Sequence, residues 1–180
     1  TVTSVDPFNK VVKTAAGEFK FDDAILMGHH QAADLVWKMG AIGQTPDGKP
    51  TNWAAVHPQF YNLKDDPHVF VIGDSVGAVS PQFGHYPKSG HVAHRMGRSV
   101  ARYIGQQARN RAMEPVLIDN LCYMLVNTEP LEAISVQFDY HMGPEGHLVQ
   151  TQTDDHNRRK ELWSEDLRWY GLMVQDLIGG

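Results

Sequence analysis

The 180-residue sequence has little cysteine, no excess of basic charge and no long apolar run. Its single cysteine, Cys122, excludes a disulfide within the chain, so cysteine usage gives no information about the redox compartment. A formal net charge of −5 at pH 7 argues against a nucleic-acid-binding protein, which would carry a basic surface. No apolar run approaches the ~20 residues that a membrane-spanning helix needs. The remaining composition, with 42% hydrophobic residues, is that of a chain that can bury a core.

The sequence also gives little sign of a metal site. His29 and His30 are adjacent, and neighbouring residues on a strand point to opposite faces. His91 and His94 stand at helical spacing, but no third ligand follows at the spacing of a zinc site. We therefore predict no bound metal.

The most informative stretch runs from residue 68 to residue 107. It begins with a short apolar run, residues 69–72, which ends at Gly73 and Asp74. Such a run is typical of a fully buried strand, and ligands often bind at the carboxyl ends of buried strands. After a loop with two prolines, Lys88-Ser89-Gly90 open a predicted helix that extends to about Gln107. Four small residues recur along that helix: Gly90, Ala93, Gly97 and Ala101.

Two chemistries could use this arrangement. In the first, Asp74 accepts hydrogen bonds from ligand hydroxyls while the amides of residues 88–90 face an anionic group, since a helix start carries about half a positive charge. In the second, G-x-S-x-G at residues 73–77 forms a nucleophile elbow with Ser75 as the nucleophile. An elbow needs a helix directly after the serine, whereas residues 76–87 contain two glycines and two prolines. The first chemistry is therefore favoured.

The same residues resemble the second FAD-binding segment of flavoprotein reductases with two dinucleotide-binding domains. V-F-V-I-G-D is followed by P-K-S-G and then by a helix rich in small residues. The resemblance is closest to the flavoprotein subunit of flavocytochrome c sulfide dehydrogenase and to the sulfide:quinone oxidoreductases. It extends to L-C-Y at residues 121–123, I-S-V at residues 134–136 and W-Y at residues 169–170, and so covers nearly the whole chain.

This resemblance implies a mixed fold, α+β or α/β, for a C-terminal fragment of such a flavoprotein. Residues 1–109 would be a remnant of the dinucleotide-binding domains. Residues 110–180 would form a small α+β domain with antiparallel strands and a long terminal helix, and a polar connector at residues 110–115 marks the boundary. No G-x-G-x-x-G loop follows any predicted strand, and in the family that loop lies near the N-terminus. We therefore expect the chain alone to bind FAD weakly and to be inactive.

The function implied by the resemblance is that of an FAD-dependent oxidoreductase, periplasmic by analogy. Electrons would pass from sulfide or another sulfur species through FAD to a c-type cytochrome or a quinone. Gly73 and Asp74 would bind the ribityl chain of FAD, and Lys88, Ser89 and Gly90 would stabilise negative charge on the reduced flavin. In the family, a tryptophan that corresponds to Trp169 approaches the flavin where the haem subunit docks.

One departure from the family concerns its redox-active cysteine, which directly follows a tryptophan. Here Trp53 is followed by Ala54, so the thiolate chemistry of the family cannot run at this position. Cys122 lies in an apolar run and is predicted to be a buried, inert thiol. Two alternatives therefore stay open: a non-catalytic docking module for a cytochrome-like partner, and a serine hydrolase that uses Ser75.

Local patterns predict the remaining elements. A hairpin is expected from residue 10, followed by a buried strand at residues 24–27 and a helix at residues 31–40 that Gly40 ends. Residues 43–67 are predicted to be a long loop.

The C-terminal part is predicted to contain an apolar run at residues 121–126, a strand at residues 134–140 and its partner at residues 148–151. Asp154 and Asp155 would cap a helix from about residue 158 to residue 178 whose broad apolar stripe serves core packing or a partner. Three arginines on the earlier helix are interpreted as a solvated face, or as a patch for an acidic partner or a flavin phosphate: Arg95, Arg98 and Arg102.

Overall fold

The computed structural model describes residues 1–179 and shows a mixed α+β chain with three antiparallel sheets and a long C-terminal helix. The predicted α+β class is therefore confirmed. Among the described residues, the only parallel pairing is an isolated bridge between Ala54 and Val76. The chain divides into two compact units, Thr1–His30 and residue 31 onward. The predicted boundary near residue 110 lies inside the second unit and stays a prediction.

The first unit is a three-stranded antiparallel sheet. Strands β1 (Val2–Asp6), β2 (Val11–Thr14) and β3 (Gly17–Lys20) pair in chain order, which confirms the predicted hairpin. The predicted buried strand at residues 24–27 is wrong. This run forms no strand, and the Ile25 side chain is 96% exposed because no described strand of the unit pairs with it.

The second unit begins with a short helix and a hairpin. Helix α1 (Asp34–Lys38) is shorter than predicted, but Gly40 does end it with a φ of +69°. Strands β4 (Ile42–Gln44) and β5 (Pro50–Ala54) pair antiparallel inside the stretch that was predicted to be a loop. The sequence T-P-D-G-K supplies the connecting turn, in which Gly48 has a φ of +80°.

Residues 69–72 do not form the predicted regular strand. The Leu63 N–H donates to the Val69 carbonyl at 2.8 Å, and the Val71 N–H donates to the Tyr61 carbonyl at 2.9 Å. These hydrogen bonds lie on one side of the segment, and no described strand pairs with the other side. The side chain of Val71 is buried while Ile72 is 39% exposed, and a 3-10 turn at Gly73–Ser75 follows.

Helix α2 (Gly90–Gln107) forms where the sequence predicts it. Its buried apolar side chains recur every three or four residues: Val92, Met96, Val100 and Tyr103. The Tyr103 hydroxyl donates to the Gln59 carbonyl at 3.1 Å and accepts from the Val116 N–H at 2.8 Å. The helix is thereby fixed to two separate loops.

A three-stranded antiparallel sheet and the last helix complete the unit. Strands β6 (Asp119–Thr128), β7 (Leu131–Met142) and β8 (Leu148–Arg159) pair in chain order and are longer than predicted. Helix α3 (Lys160–Ile178) follows directly. No helix in the described part of the chain has the length and apolarity that crossing a membrane requires.

The predicted cap of the last helix is wrong. Asp154 and Asp155 lie within β8, where they pair with Val136 and Ser135 of β7. Arg159 occupies the N-cap position instead and makes no side-chain capping hydrogen bond. The strand continues past the acidic pair because the backbone of β7 supplies its hydrogen bonds.

The apolar stripe of α3 is only partly buried. Leu162 is buried against the rest of the unit, and Trp163, Trp169, Met173 and Val174 are half-buried. Three further side chains of the stripe are exposed: Leu167, Tyr170 and Leu177. Core packing therefore explains one side of the stripe and leaves the other side open.

Three buried tyrosines share one region of the core. Tyr61, Tyr86 and Tyr140 are almost fully buried, and their hydroxyls have no hydrogen-bond partner within the described residues. The rings of Tyr86 and Tyr140 meet edge to face, with their centres 4.7 Å apart. Burial raises the pKa of all three phenols, that of Tyr86 to about 12.

We expect the free energy of unfolding to fall as the pH rises from about 10 to about 12. An unfolded tyrosine ionises near pH 10.0, whereas Tyr86 in the fold stays neutral up to about pH 12, so the unfolded state is favoured between these values. Tyr86→Phe should remove about 2–3 kcal/mol of this pH-dependent loss. Urea unfolding at pH 9 to 12 measures it, with the exposed Tyr170→Phe as the matched control. A pH dependence identical in both variants would contradict the prediction.

We also predict opposite effects of alanine at two glycines. A Cβ on Gly77 would lie 2.6 Å from the Ala54 carbonyl oxygen, so Gly77→Ala should lower the free energy of unfolding by about 1–3 kcal/mol. A Cβ on Gly171 of α3 would meet nothing within 4 Å, so Gly171→Ala should raise it by about 0.5–1 kcal/mol. Urea denaturation tests both, and a Gly77→Ala variant as stable as wild type would disprove the close approach.

Candidate functional site

Lys88 connects the turn at Gly73–Ser75 to the start of α2. Its Nζ donates to the carbonyl oxygen of Asp74 at 2.6 Å and to that of Val76 at 2.9 Å. The ammonium group also lies 3.7 Å from the centre of the Trp53 ring, which is the geometry of a cation–π contact. The structure therefore brings the predicted residues Asp74 and Lys88 together.

Gly73 lets the turn lie close against α2. Its φ is +67°, a left-handed conformation that favours glycine, and a Cβ there would be 3.3 Å from the Ala93 Cβ. Its N–H points at the Met96 sulfur, 3.2 Å away. The glycine at this position is thus required by both its backbone conformation and its close neighbour.

The carboxylate of Asp74 is exposed. Within the described residues, it takes part in no hydrogen bond or ion pair, because Lys88 contacts the backbone carbonyl of Asp74. An ionised carboxylate offers about four acceptor positions. Asp74 can therefore accept hydrogen bonds from ligand hydroxyls.

The start of α2 has a side-chain cap and two N–H groups without helical partners. Ser89 is the N-cap residue, and its Oγ accepts from the Val92 N–H at 3.3 Å. The N–H groups of Gly90 and His91 have no acceptor inside the helix. A Cβ on Gly90 would meet nothing within 4 Å, so the space beside this helix start is open.

Asn120 is a site neighbour that the sequence analysis missed. It is fully buried, and its Oδ1 accepts from the Ser89 hydroxyl at 3.4 Å. Its amide Nδ2 donates to the Cys122 sulfur at 3.2 Å. Cys122 is half-buried, whereas the sequence predicted a buried thiol. A polar residue two positions before Cys122, on the same face of β6, is the signal that could have revealed this contact.

Trp169 lies beside the start of α2 through its contact with His91. The two rings are nearly perpendicular, at 88°, with their centres 5.0 Å apart. His91 is buried, and its Nδ1 accepts from the Leu121 N–H at 3.1 Å. Burial, followed by the nearby Arg95, lowers the pKa of His91. The predicted site residue Trp169 therefore contacts the side chain of His91, the second residue of α2.

The two histidines of α2 have different partners. While His91 accepts from the backbone of β6, Nε2 of His94 lies 3.8 Å from the carboxylate of Asp176 in α3. No group of three metal-ligating side chains occurs within residues 1–179.

Trp53 lies between Lys88 and His85. The Trp53 and His85 rings meet at 69°, with their centres 6.2 Å apart. Burial lowers the pKa of Lys88, against the opposing effect of the Asp74 carboxylate. Burial also lowers the pKa of His85, followed by the positive charge of Lys88. Nothing in the local sequence predicted this long-range cluster.

Ala54, at the predicted position of the family's redox cysteine, is only 1% exposed. Its carbonyl oxygen accepts from the Gly77 N–H at 2.9 Å, and it forms the isolated bridge with Val76. A thiol at this position would be enclosed by the core of the second unit. The residue is therefore a packing residue in this fold.

Ser75 does not have the surroundings of a nucleophile elbow. Its Oγ accepts from the Ala33 N–H at 3.3 Å, and Val76 after it is extended. The next helix, α2, begins at Gly90. The strand–turn–helix geometry that exposes a catalytic serine is not formed here.

The three arginines of α2 each pair with a carboxylate of the chain itself. Nε of Arg95 lies 3.0 Å from Oδ1 of Asp119. Nη1 of Arg98 lies 2.5 Å from Oδ2 of Asp176. Nη2 of Arg102 lies 3.1 Å from Oε2 of Glu114. These pairs are exposed enough to contribute only about 0–1 kcal/mol each. The pairing agrees with a solvated face and leaves little net positive charge for an acidic partner.

No known protein-family model matches the chain, and no curated protein was found to be similar to it. The resemblance to the sulfide-oxidising flavoproteins therefore rests on the residues named above and stays a proposal.

We predict that Ser89→Ala lowers the free energy of unfolding by about 1–3 kcal/mol. The substitution removes the cap of α2 and leaves the buried Oδ1 of Asn120 without its donor. Ser89→Thr keeps a hydroxyl and should retain most of the stability. Urea denaturation of both variants measures the difference, and equal losses would show that the hydroxyl is not responsible.

Proposed function

We propose that the chain is the flavin-proximal, C-terminal part of an FAD-dependent oxidoreductase of the flavocytochrome c sulfide dehydrogenase type. The observation that carries this proposal is the exposed, unpartnered Asp74 carboxylate, which lies on a turn whose backbone is bonded by Lys88, the residue before the N-cap of α2. The turn offers acceptors for hydroxyl groups, and the start of α2 offers N–H donors for an anionic group. A flavin cofactor presents both kinds of group together, on its ribityl chain and its reduced ring.

The residues present fit the flavin half of FAD. Asp74 would accept hydrogen bonds from the ribityl hydroxyls. The open space at Gly90 would let the ring approach the N–H groups of Gly90 and His91. Because a helix start carries about half a positive charge, these groups would stabilise negative charge at the N1/O2 edge of the reduced ring. FAD, when bound, supplies the redox chemistry, and the chain supplies orientation and electrostatics.

The donor and the acceptor follow from the same resemblance. We propose a small donor, sulfide or another sulfur species, and a c-type cytochrome or a quinone as the electron acceptor. Trp169 supports an acceptor that approaches near the start of α2, because its ring packs on His91 there. The ADP half of FAD would be held by a glycine-rich loop that these residues do not contain. The parent protein that supplies the loop would be periplasmic.

A non-catalytic docking module is the second candidate. One observation favours it: one side of α3 exposes Leu167, Tyr170 and Leu177. The resemblance, which assigns the redox-cysteine position to Ala54, points the same way. Aromatic and large apolar side chains are enriched in the cores of protein interfaces. In this case the partner-binding domain would have survived without the redox chemistry.

An absorbance spectrum of the parent protein, titrated anaerobically with sulfide, tests the proposal. Bound flavin that sulfide bleaches would support a sulfide-oxidising enzyme that needs no thiol at position 54. Bound flavin that stays oxidised would keep the flavoprotein and exclude sulfide as the donor. A parent without flavin would refute the proposal in favour of the docking module.

We predict that Asp74→Asn raises the dissociation constant of FAD by about 10- to 100-fold, because a hydrogen bond to a charged acceptor contributes about 1.5–3 kcal/mol. Fluorescence quenching during titration of the apo-parent with FAD measures the constant. Asp65→Asn removes the charge of another exposed aspartate and should leave the constant unchanged. Equal constants for wild type and Asp74→Asn would remove Asp74 from the flavin site.

A further inference from the structure

We propose that Lys88 is a positioning residue, which holds the Asp74 turn in place through its ammonium group and does not itself contact the ligand. The sequence pattern places Lys88 among the residues that face the cofactor, whereas its side chain is directed at the backbone of residues 74 and 76. The identity of the ligand at Asp74 rests on the proposed function. The positioning of the turn does not.

The hydrogen atoms of the ammonium group are largely committed. A lysine has three N–H donors, and two of them are used by the carbonyls of Asp74 and Val76, at 2.6 and 2.9 Å. The ring of Trp53, 3.7 Å away, covers a further side of the group. Two of the three N–H donors are therefore already used within the chain, although the Lys88 residue as a whole is exposed.

The two carbonyls lie on either side of Ser75, so Lys88 holds the middle of the turn and the residue that follows it at once. Lys88 also directly precedes Ser89, the N-cap residue of α2, so its backbone is fixed to that helix. The Lys88 side chain therefore links the two parts of the candidate site: the turn that carries the Asp74 carboxylate, and the helix start with the N–H groups of Gly90 and His91.

The positive charge is essential to this role. A charged donor makes hydrogen bonds roughly twice as strong as a neutral donor, and partial burial increases their strength. The other backbone bonds of the turn are neutral: Val76 N–H to the Gly73 carbonyl at 3.1 Å, and Gly77 N–H to the Ala54 carbonyl at 2.9 Å. Removal of the charge should therefore loosen the turn while the packed face of α2 stays folded.

Hydrogen exchange of the 180-residue chain, without any ligand, tests the positioning. We expect Lys88→Met, which keeps the apolar stem, to speed exchange of the Val76 and Gly77 amides by about tenfold or more, because their opening costs less. The amides of Val100 and Tyr103 in α2 should keep their protection. Lys88→Arg, which keeps the charge, should restore most of the protection, and Lys64→Met is the control at an exposed lysine.

Unchanged exchange at Val76 and Gly77 in Lys88→Met would overturn the proposal. If Lys88→Met also loses protection throughout α2, the variant is unfolded more widely, and the Val76 and Gly77 amides are then compared between wild type and Lys88→Arg. Retained protection in Lys88→Arg supports a role for the charge, and a loss as large as in Lys88→Met overturns it.

A double-mutant cycle on FAD affinity in the parent protein then separates positioning from direct contact. If Lys88 acts through Asp74, Lys88→Met raises the dissociation constant about tenfold in the wild-type background. In the Asp74→Asn background it should raise the constant less than about twofold. Equal losses in both backgrounds would show that Lys88 contacts the cofactor directly. A parent that binds no FAD would refute the proposed function, and the hydrogen-exchange result would still decide the positioning role.

Discussion

The packing of α2 is the constraint on which the candidate site depends. One face of the helix is buried at intervals of three and four residues, and the Tyr103 hydroxyl is bonded to backbone groups of two loops. Its first turn is fixed as well, since Ser89 reaches Asn120 and His91 accepts from Leu121. The position of the helix start is therefore set by the core of the unit. A site built on such a rigid element keeps its geometry better than a site on mobile loops.

The other face of α2 is made of small residues and stays open. Together with Ile72 and Leu177 and with the polar side chains of His94, Arg98 and Asp176, these residues line a groove of about 530 Å³. The groove adjoins the apolar run at residues 69–72, which has backbone partners on one side. A regular strand needs several consecutive residues paired with a neighbouring strand, as in β4 and β5. The run has strand-forming residues, but its pairing with residues 61–63 is limited to a single bridge at Phe70, which is too short for a regular strand.

Features with a local cause were predictable from the sequence, and those that depend on distant residues were not. The periodicity of α2 and the serine before it predicted the helix to within about two residues. The alternation at residues 134–140 likewise predicted β7. By contrast, the contact of Lys88 with Trp53 and that of Ser89 with Asn120 join separate segments and leave no trace in the local pattern. The turn around Gly48 did have a local signature, D-G, which the loop prediction overlooked.

The burial of Ala54 bears on the proposed resemblance as strongly as the absence of a thiol at this position does. The carbonyl oxygen of Ala54 accepts a hydrogen bond from the Gly77 N–H. The preceding residue, Trp53, makes the cation–π contact with Lys88. A thiol placed at position 54 could be attacked only after this part of the core had opened. If the proposed function holds, the donor has to reduce the flavin without a protein thiol at position 54, and the open space at Gly90 is where the ring would be approached. Under the proposed function, the Asp74 turn and the helix start would orient the flavin half of the cofactor, which is why the contacts of Lys88 with that turn matter.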